Sequence, residues 1–83
     1  MKVRVRYFAS LREALGTDED ADVNEGSTVG QLRDALIARG AVHASALARG
    51  RAIRTALNHV LCDESTLLHE GSELAFFPPV TGG

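Results

Sequence analysis

The chain has 83 residues, 45% of them apolar, and 9 basic against 11 acidic residues give a formal charge of -2. That length holds one small domain, residues 1–83, whose modest core leaves room for a partner to add stability. Near-neutral charge with no basic run argues against nucleic acid, and no stretch approaches the roughly 18 apolar residues of a membrane span.

Residues Lys2 to Phe8 alternate, with Val3, Val5 and Tyr7 on one face and Lys2, Arg4, Arg6 and Phe8 on the other. This period of two predicts a half-buried strand. Ser10 to Leu15 offers a cap and a short apolar repeat closed by Gly16, which predicts one or two helical turns. The acidic stretch Asp18 to Asp22 reads as a solvated loop or an edge strand, continuing through Ala21, Val23 and Glu25 to a turn at Gly26. The strongest helix signal follows. Thr28 and Gln31 have the Ser/Thr-x-x-Glu/Gln form of a capping box, Val29, Leu32 and Leu36 recur at helical spacing with Ala35 on the same face, and Gly40 supplies a stop. Ala44 to Ala48 reads as one further turn. Ile53 to Leu61 reads as strand interrupted around Asn58, and Gly71 turns the chain into a last strand, Glu73 to Phe77.

Strands at both ends and one main helix near the middle predict an α+β fold, a mixed sheet with the helix across one face. In the last strand Leu74 and Phe76 share one face, while Glu73, Ala75 and Phe77 share the other. Phe8 likewise shares a face with Arg4 and Arg6. If the helix covers only one face, Phe8 and Phe77 both lie on the open side, where a cluster of apolar side chains would be a partner surface.

Cys62 is the only cysteine, so no internal disulfide is possible and a reducing compartment is permitted. His43, His59 and His69 show no metal-ligand spacing with it, and no metal site is expected. Met1-Lys2-Val3-Arg4 leads into alternation rather than into an apolar signal region, so a cytoplasmic location is expected.

The last segment, "FFPPVTGG", carries the chemistry. Gly makes up about 7% of average composition, so a chain ends in Gly-Gly by chance only about once in 200. Pro78 and Pro79 fix their own φ angles and hold Phe77 and Pro78 extended, so residues 78–83 should project from the sheet. Val80 and Thr81 continue that projection. Gly82 and Gly83, with no side chains, can pass through a channel that excludes other residues. The carboxylate of Gly83 is ionised at neutral pH and is a poor electrophile, its unperturbed pKa being about 3.5. It must be activated, for example as an acyl-adenylate, before it can accept sulfur or be joined to an amine.

The segment "EGSELAFFPPVTGG" from Glu70 to Gly83 closely resembles the C-terminus of the small subunits of molybdopterin synthase, the sulfur carriers of molybdenum cofactor synthesis. "VRYFASLREALG", "STVGQLRDAL" and "ALNHVL" extend the resemblance over nearly the whole chain. It implies the ubiquitin-like β-grasp fold. It further implies that an ATP-using activating enzyme adenylates Gly83, that a cysteine desulfurase system supplies sulfur to make a thiocarboxylate, and that no cofactor is permanently bound. The tail would then enter a pocket of the large subunit, where sulfur from successive carriers converts cyclic pyranopterin monophosphate to the molybdopterin dithiolene. Catalytic side chains would belong to the large subunit, in an assembly of two small and two large subunits. The family's apolar partner surface matches Phe8, Leu61 and Phe77 here. Ser72 departs from the family pattern, in which an acidic residue often follows the turn glycine.

Other readings begin with the same adenylation: a ubiquitin-like modifier joined through Gly83 to lysines of other proteins, or a sulfur carrier for another pathway such as thiazole synthesis. The Phe76 to Val80 run argues against the latter, by resemblance. A plain interaction domain with an inert tail is a further alternative.

Overall fold

Residues 1–79 are described by the computed structural model, and the alternation in the first strand sets its layering. Strand β1 (Lys2–Tyr7) buries Val3, Val5 and Tyr7 on one face. It pairs antiparallel with β2 (Asp18–Asp22) and parallel with β5 (Glu73–Phe77). Strand β3 (Arg54–Leu57) pairs antiparallel with β5 and with β4 (Val60–Cys62), which gives five strands in the order β2-β1-β5-β3-β4. The buried strand residues Val3, Val5, Tyr7, Ala21, Thr55, Leu74 and Phe76 share one face by register. Against them pack Leu11, Val29, Leu32, Leu36, Ala46, Leu47 and Leu68. The tyrosine and phenylalanine rings stack, with centroids 6.2 Å apart.

The acidic stretch forms the edge-strand alternative, but the strand stops at Asp22 instead of running on to Gly26. Its charged side chains discourage pairing of that edge with another chain. Helix α1 (Ser10–Leu15) lies where expected, although Ser10 is inside it and the cap position falls on Ala9, which makes no side-chain capping bond. Helix α2 (Val29–Ile37) has the predicted capping box: Thr28 Oγ1 accepts from the Gln31 N–H at 3.2 Å, and Gln31 Oε1 accepts from the Thr28 N–H at 2.9 Å. It ends earlier than the Gly40 stop implied. Gly40 instead precedes helix α3 (Ala41–Ala46), which begins three residues before the predicted turn at Ala44. Arg33 explains the compact corner between the two helices. It is 3% exposed, and donates to the Leu47 carbonyl at 2.9 Å, the Ala48 carbonyl at 2.7 Å and Glu64 at 2.7 Å. A buried cation is tolerable only when its donors are satisfied in this way.

Gly30, in the first turn of α2, allows a close approach. Its N–H donates to the Glu64 carbonyl at 2.9 Å, and a Cβ there would stand 3.2 Å from that oxygen. The long strand read across Ile53 to Leu61 is a hairpin of β3 and β4. Asn58 (φ 48) and His59 (φ 70) occupy its tip, the positive angles that a two-residue type I′ turn needs. The mixed sheet with α2 across one face is the β-grasp, ubiquitin-like arrangement.

A candidate partner surface at the root of the tail

Parallel pairing of β1 with β5 places Tyr7 opposite Phe76, and the Phe8 N–H continues the ladder to the Phe76 carbonyl at 3.2 Å. Phe8 and Phe77 therefore emerge side by side on the face that the helices leave open. They line one hollow of about 370 Å³ together with Ala56, Ala75, Glu73 and His59. Phe8 is 38% exposed, and Phe77 is half-buried.

The turn after Phe8 is strained. Ala9 has φ 54 and ψ -130, a region that favours glycine and costs other residues of order 1–3 kcal/mol. This turn sends α1 to the covered face while Phe8 stays on the open one. An arginine holds the phenylalanine from below: the Arg6 guanidinium carbon lies 5.3 Å from the Phe8 ring centre, in cation–π range, and Arg6 also pairs with Glu73 at 3.7 Å. Glu73 is further approached by His59 at 3.4 Å. The hollow is thus apolar in the middle with charge at its border, the general anatomy of an interface.

Leu61 lies one strand further out. Ala56 stands opposite it in the hairpin and opposite Ala75 in β5, so Leu61, Ala56 and Ala75 form a row on the same open face. Leu61 is 61% exposed. Of the residues expected to meet a partner, Phe8 and Phe77 meet in one hollow, and Leu61 extends the apolar row beyond it. Pro78 and Pro79 follow β5 directly and are half-buried. Val80, Thr81, Gly82 and Gly83 lie outside the described residues.

Sequence reading missed Ala56 and His59 as parts of this surface. The available signal was the Asn58-His59 pair, which as a hairpin tip fixes which face Ala56 occupies; without glycine it resembled an interruption. Arg54 was also missed, and it stands in register beside Phe77 at the root of the tail. Ser72, the departure from the family pattern, is buried, and its hydroxyl accepts from the His69 N–H at 3.0 Å across the Gly71 turn.

Other polar groupings lie on the covered side. Glu19 accepts from the Tyr7 hydroxyl at 2.7 Å, meets His43 Nε2 at 3.0 Å and pairs with Arg39. Burial alone would raise its carboxyl pKa, but the bonds from His43, Tyr7 and Arg39 together outweigh burial and hold it below the ordinary range. The Tyr7 phenol is pushed far above its ordinary value, first by burial and then by the Glu19 carboxylate. Cys62 pairs with Thr55 on the covered face and packs against the core. Among the described residues no group of three or more His, Cys, Asp or Glu is placed to hold a metal ion, and no helix is long and apolar enough to cross a membrane.

Comparison with known proteins adds to this geometry. The ThiS family model matches residues 5–83. The molybdopterin synthase sulfur carrier subunit of Escherichia coli K12 is 40% identical over 81 residues, covering 98% of this chain and 99% of that protein. Small archaeal modifier protein 1 of Haloferax volcanii superposes with a TM-score of 0.77 at 29% identity, covering 95% of this chain and 98% of that one. The complex of subunits 1 and 2 of molybdopterin-converting factor from Helicobacter pylori 26695 contains a chain matched at a TM-score of 0.70 and 27% identity, with full coverage of both.

Proposed function

The chain belongs to the ThiS family, among the molybdopterin synthase sulfur carrier subunits, and from that premise we propose that its reactive group is the carboxylate of Gly83. The observation that carries this reading is the position of the tail's root: β5 ends at Phe77 beside Phe8, and Pro78 and Pro79 follow it directly. A partner bound on Phe8, Phe77 and Leu61 would therefore lie at the root of the segment it has to receive. Residues 1–83 act as one domain in this reading, with 78–83 as its projecting tail.

In the proposed cycle an activating enzyme uses ATP to join the Gly83 carboxylate to AMP. A persulfide supplied by a cysteine desulfurase system then attacks the Gly83 carbonyl and displaces AMP, and a second thiol cleaves the resulting acyl disulfide, leaving a thiocarboxylate and a disulfide. The large subunit takes the tail into its own pocket and catalyses sulfur transfer to cyclic pyranopterin monophosphate, and the carrier returns with its carboxylate restored. Two such deliveries, from successive carriers, make one dithiolene, in an assembly of two small and two large subunits. The carrier needs no permanently bound cofactor, and the cycle runs in the cytoplasm.

The test is the intact mass of the protein after incubation with ATP, cysteine and a desalted extract of its own cells, with fragmentation of the C-terminal peptide. One oxygen replaced by sulfur on Gly83 supports the proposal. A protein carrying one extra residue after Gly83 should fold and stay unmodified; sulfur acquisition by that variant would reject Gly83 as the reactive group. A second reading is favoured by the likeness to small archaeal modifier protein 1: Gly83 is joined to lysines of other proteins, which the same experiment reveals as Gly83 remnants on foreign peptides.

A further inference from the structure

The open face of the sheet carries charge beside its apolar row, and most of that charge cancels within the chain. Arg4 pairs with Asp18 at 3.1 Å and with Asp20 at 2.9 Å. Glu73 meets Arg6 at 3.7 Å and His59 at 3.4 Å. Arg54 is different. In β3 Thr55 is turned into the core, so its neighbours Arg54 and Ala56 point to the open face. Register sets Arg54 beside Phe77. It is exposed, and among the described residues no carboxylate lies within ion-pair distance of it. Lys2 also lacks such a partner there, but it lies at the far end of β1.

The apolar surface is therefore flanked unequally. On the β1 side of Phe77 stand Phe8 and the paired Arg6; on the β3 side stands a guanidinium with no acid of its own. Hydrophobic contact is non-directional, so the phenylalanines by themselves do little to fix the angle at which a partner approaches. A charge at one border does fix it, because rim charges steer the encounter and penalise a like charge placed against them. Against a neutral surface Arg54 would lose water without a return. Its planar fork matches a carboxylate with two parallel bonds.

We propose that Arg54 docks against a carboxylate side chain of the large subunit, and that this pair orients the carrier as its apolar surface closes. The pairing rests on the partner surface proposed above at Phe8, Phe77 and Leu61, and it names the charge that the large subunit must present beside the site that receives Phe77.

The experiment measures association and dissociation of the full chain on the immobilised large subunit by surface plasmon resonance, with circular dichroism to verify each variant's fold. At about 0.1 M salt, where the Debye length is about 10 Å, Arg54→Gln should slow association about threefold and Arg54→Glu about tenfold. Both should approach the native rate toward 1 M salt, where that length is about 3 Å. Arg51 is the matched control. It is exposed, has no carboxylate within ion-pair distance among the described residues, and lines a hollow between α1 and α3 on the helix side. Arg51→Gln and Arg51→Glu change the net charge by the same amounts and should associate within about twofold of the native chain. Equal effects in the two series would mean that net charge alone steers, and native or faster association by Arg54→Glu would mean that no acid faces it; either result overturns the pairing. Phe77→Ala, run alongside, tests the surface itself. If it dissociates faster while Arg54→Glu behaves as native, only the pairing fails; if both behave as native, the underlying surface is rejected as well.

Discussion

The Tyr7 hydroxyl donates to the Glu19 carboxylate at 2.7 Å, a diagonal bond across the β1–β2 pair, since Glu19 stands opposite Val5. It ties the acidic edge strand to the centre of the sheet on the covered side.

Glu19 is held below its ordinary pKa in the folded state, against the opposing effect of burial, by His43, Tyr7 and Arg39. A depressed carboxyl pKa contributes stability above its unfolded value of about 4.3, and that contribution disappears as pH falls through the folded value. Tyr7→Phe should cost about 1 kcal/mol at neutral pH. The gap to the native protein in urea midpoints should narrow on acidification. An equal gap at every pH would show that the lost hydroxyl acts through packing and not through the carboxylate.

The same bond has an alkaline consequence. A phenol with a raised folded pKa contributes stability that is complete below its unfolded pKa of about 10 and is lost as pH rises toward the folded value. The chain has one tyrosine, so phenolate absorbance reports Tyr7 alone. Its ionisation should coincide with unfolding seen by circular dichroism; phenolate formation in a chain that is still folded would contradict the burial and bonding of this group.

Ala9, at φ 54 and ψ -130, holds a conformation suited to glycine. Ala9→Gly should relieve the strain and, after the entropy cost of glycine, stabilise the fold by about 1 kcal/mol. Thermal melts would read this as a rise of roughly 4–8 °C in a domain of this size. A fall in melting temperature would mean that the unfolded-state entropy of glycine exceeds the strain.

Arg33 distinguishes shape from charge. Arg33→Ala leaves the Leu47 and Ala48 carbonyls and Glu64 without this donor and should cost about 3–5 kcal/mol. Arg33→Lys keeps the charge but cannot span the same acceptors, so its urea midpoint should lie well below the native one. A lysine variant as stable as the native chain would show that the forked geometry is unnecessary.

For the proposed partner surface, Phe77→Ala and Leu61→Ala should each weaken binding to the large subunit by about 1–2 kcal/mol. Both side chains are at least partly exposed, so the monomer should remain folded. Calorimetric titration with the large subunit checks this. Affinities unchanged for both variants, with native circular dichroism, would place the docking surface elsewhere.

Local physics was legible in the residues themselves. Alternation at Val3, Val5 and Tyr7 marked β1, and Thr28 with Gln31 marked the start of α2, because strand pleat and helix capping are settled within a few neighbouring residues. The same alternation put Phe8 and Phe77 on the open face, and the resemblance of the Glu70 to Gly83 segment pointed to the family. What the tertiary structure decided depended on partners distant in the chain. Parallel pairing of β1 and β5 made the two phenylalanines neighbours, and the β3–β4 register brought Ala56 into their hollow and Leu61 into line. Burial turned Arg33 into a bracket for three segments, and gave Glu19, one acid in a run of acids, bonds to Tyr7, Arg39 and His43. Hydrogen bonds and burial between residues far apart in the chain have no period for a single sequence to display, so they become definite only when the sheet closes and the helices pack against it.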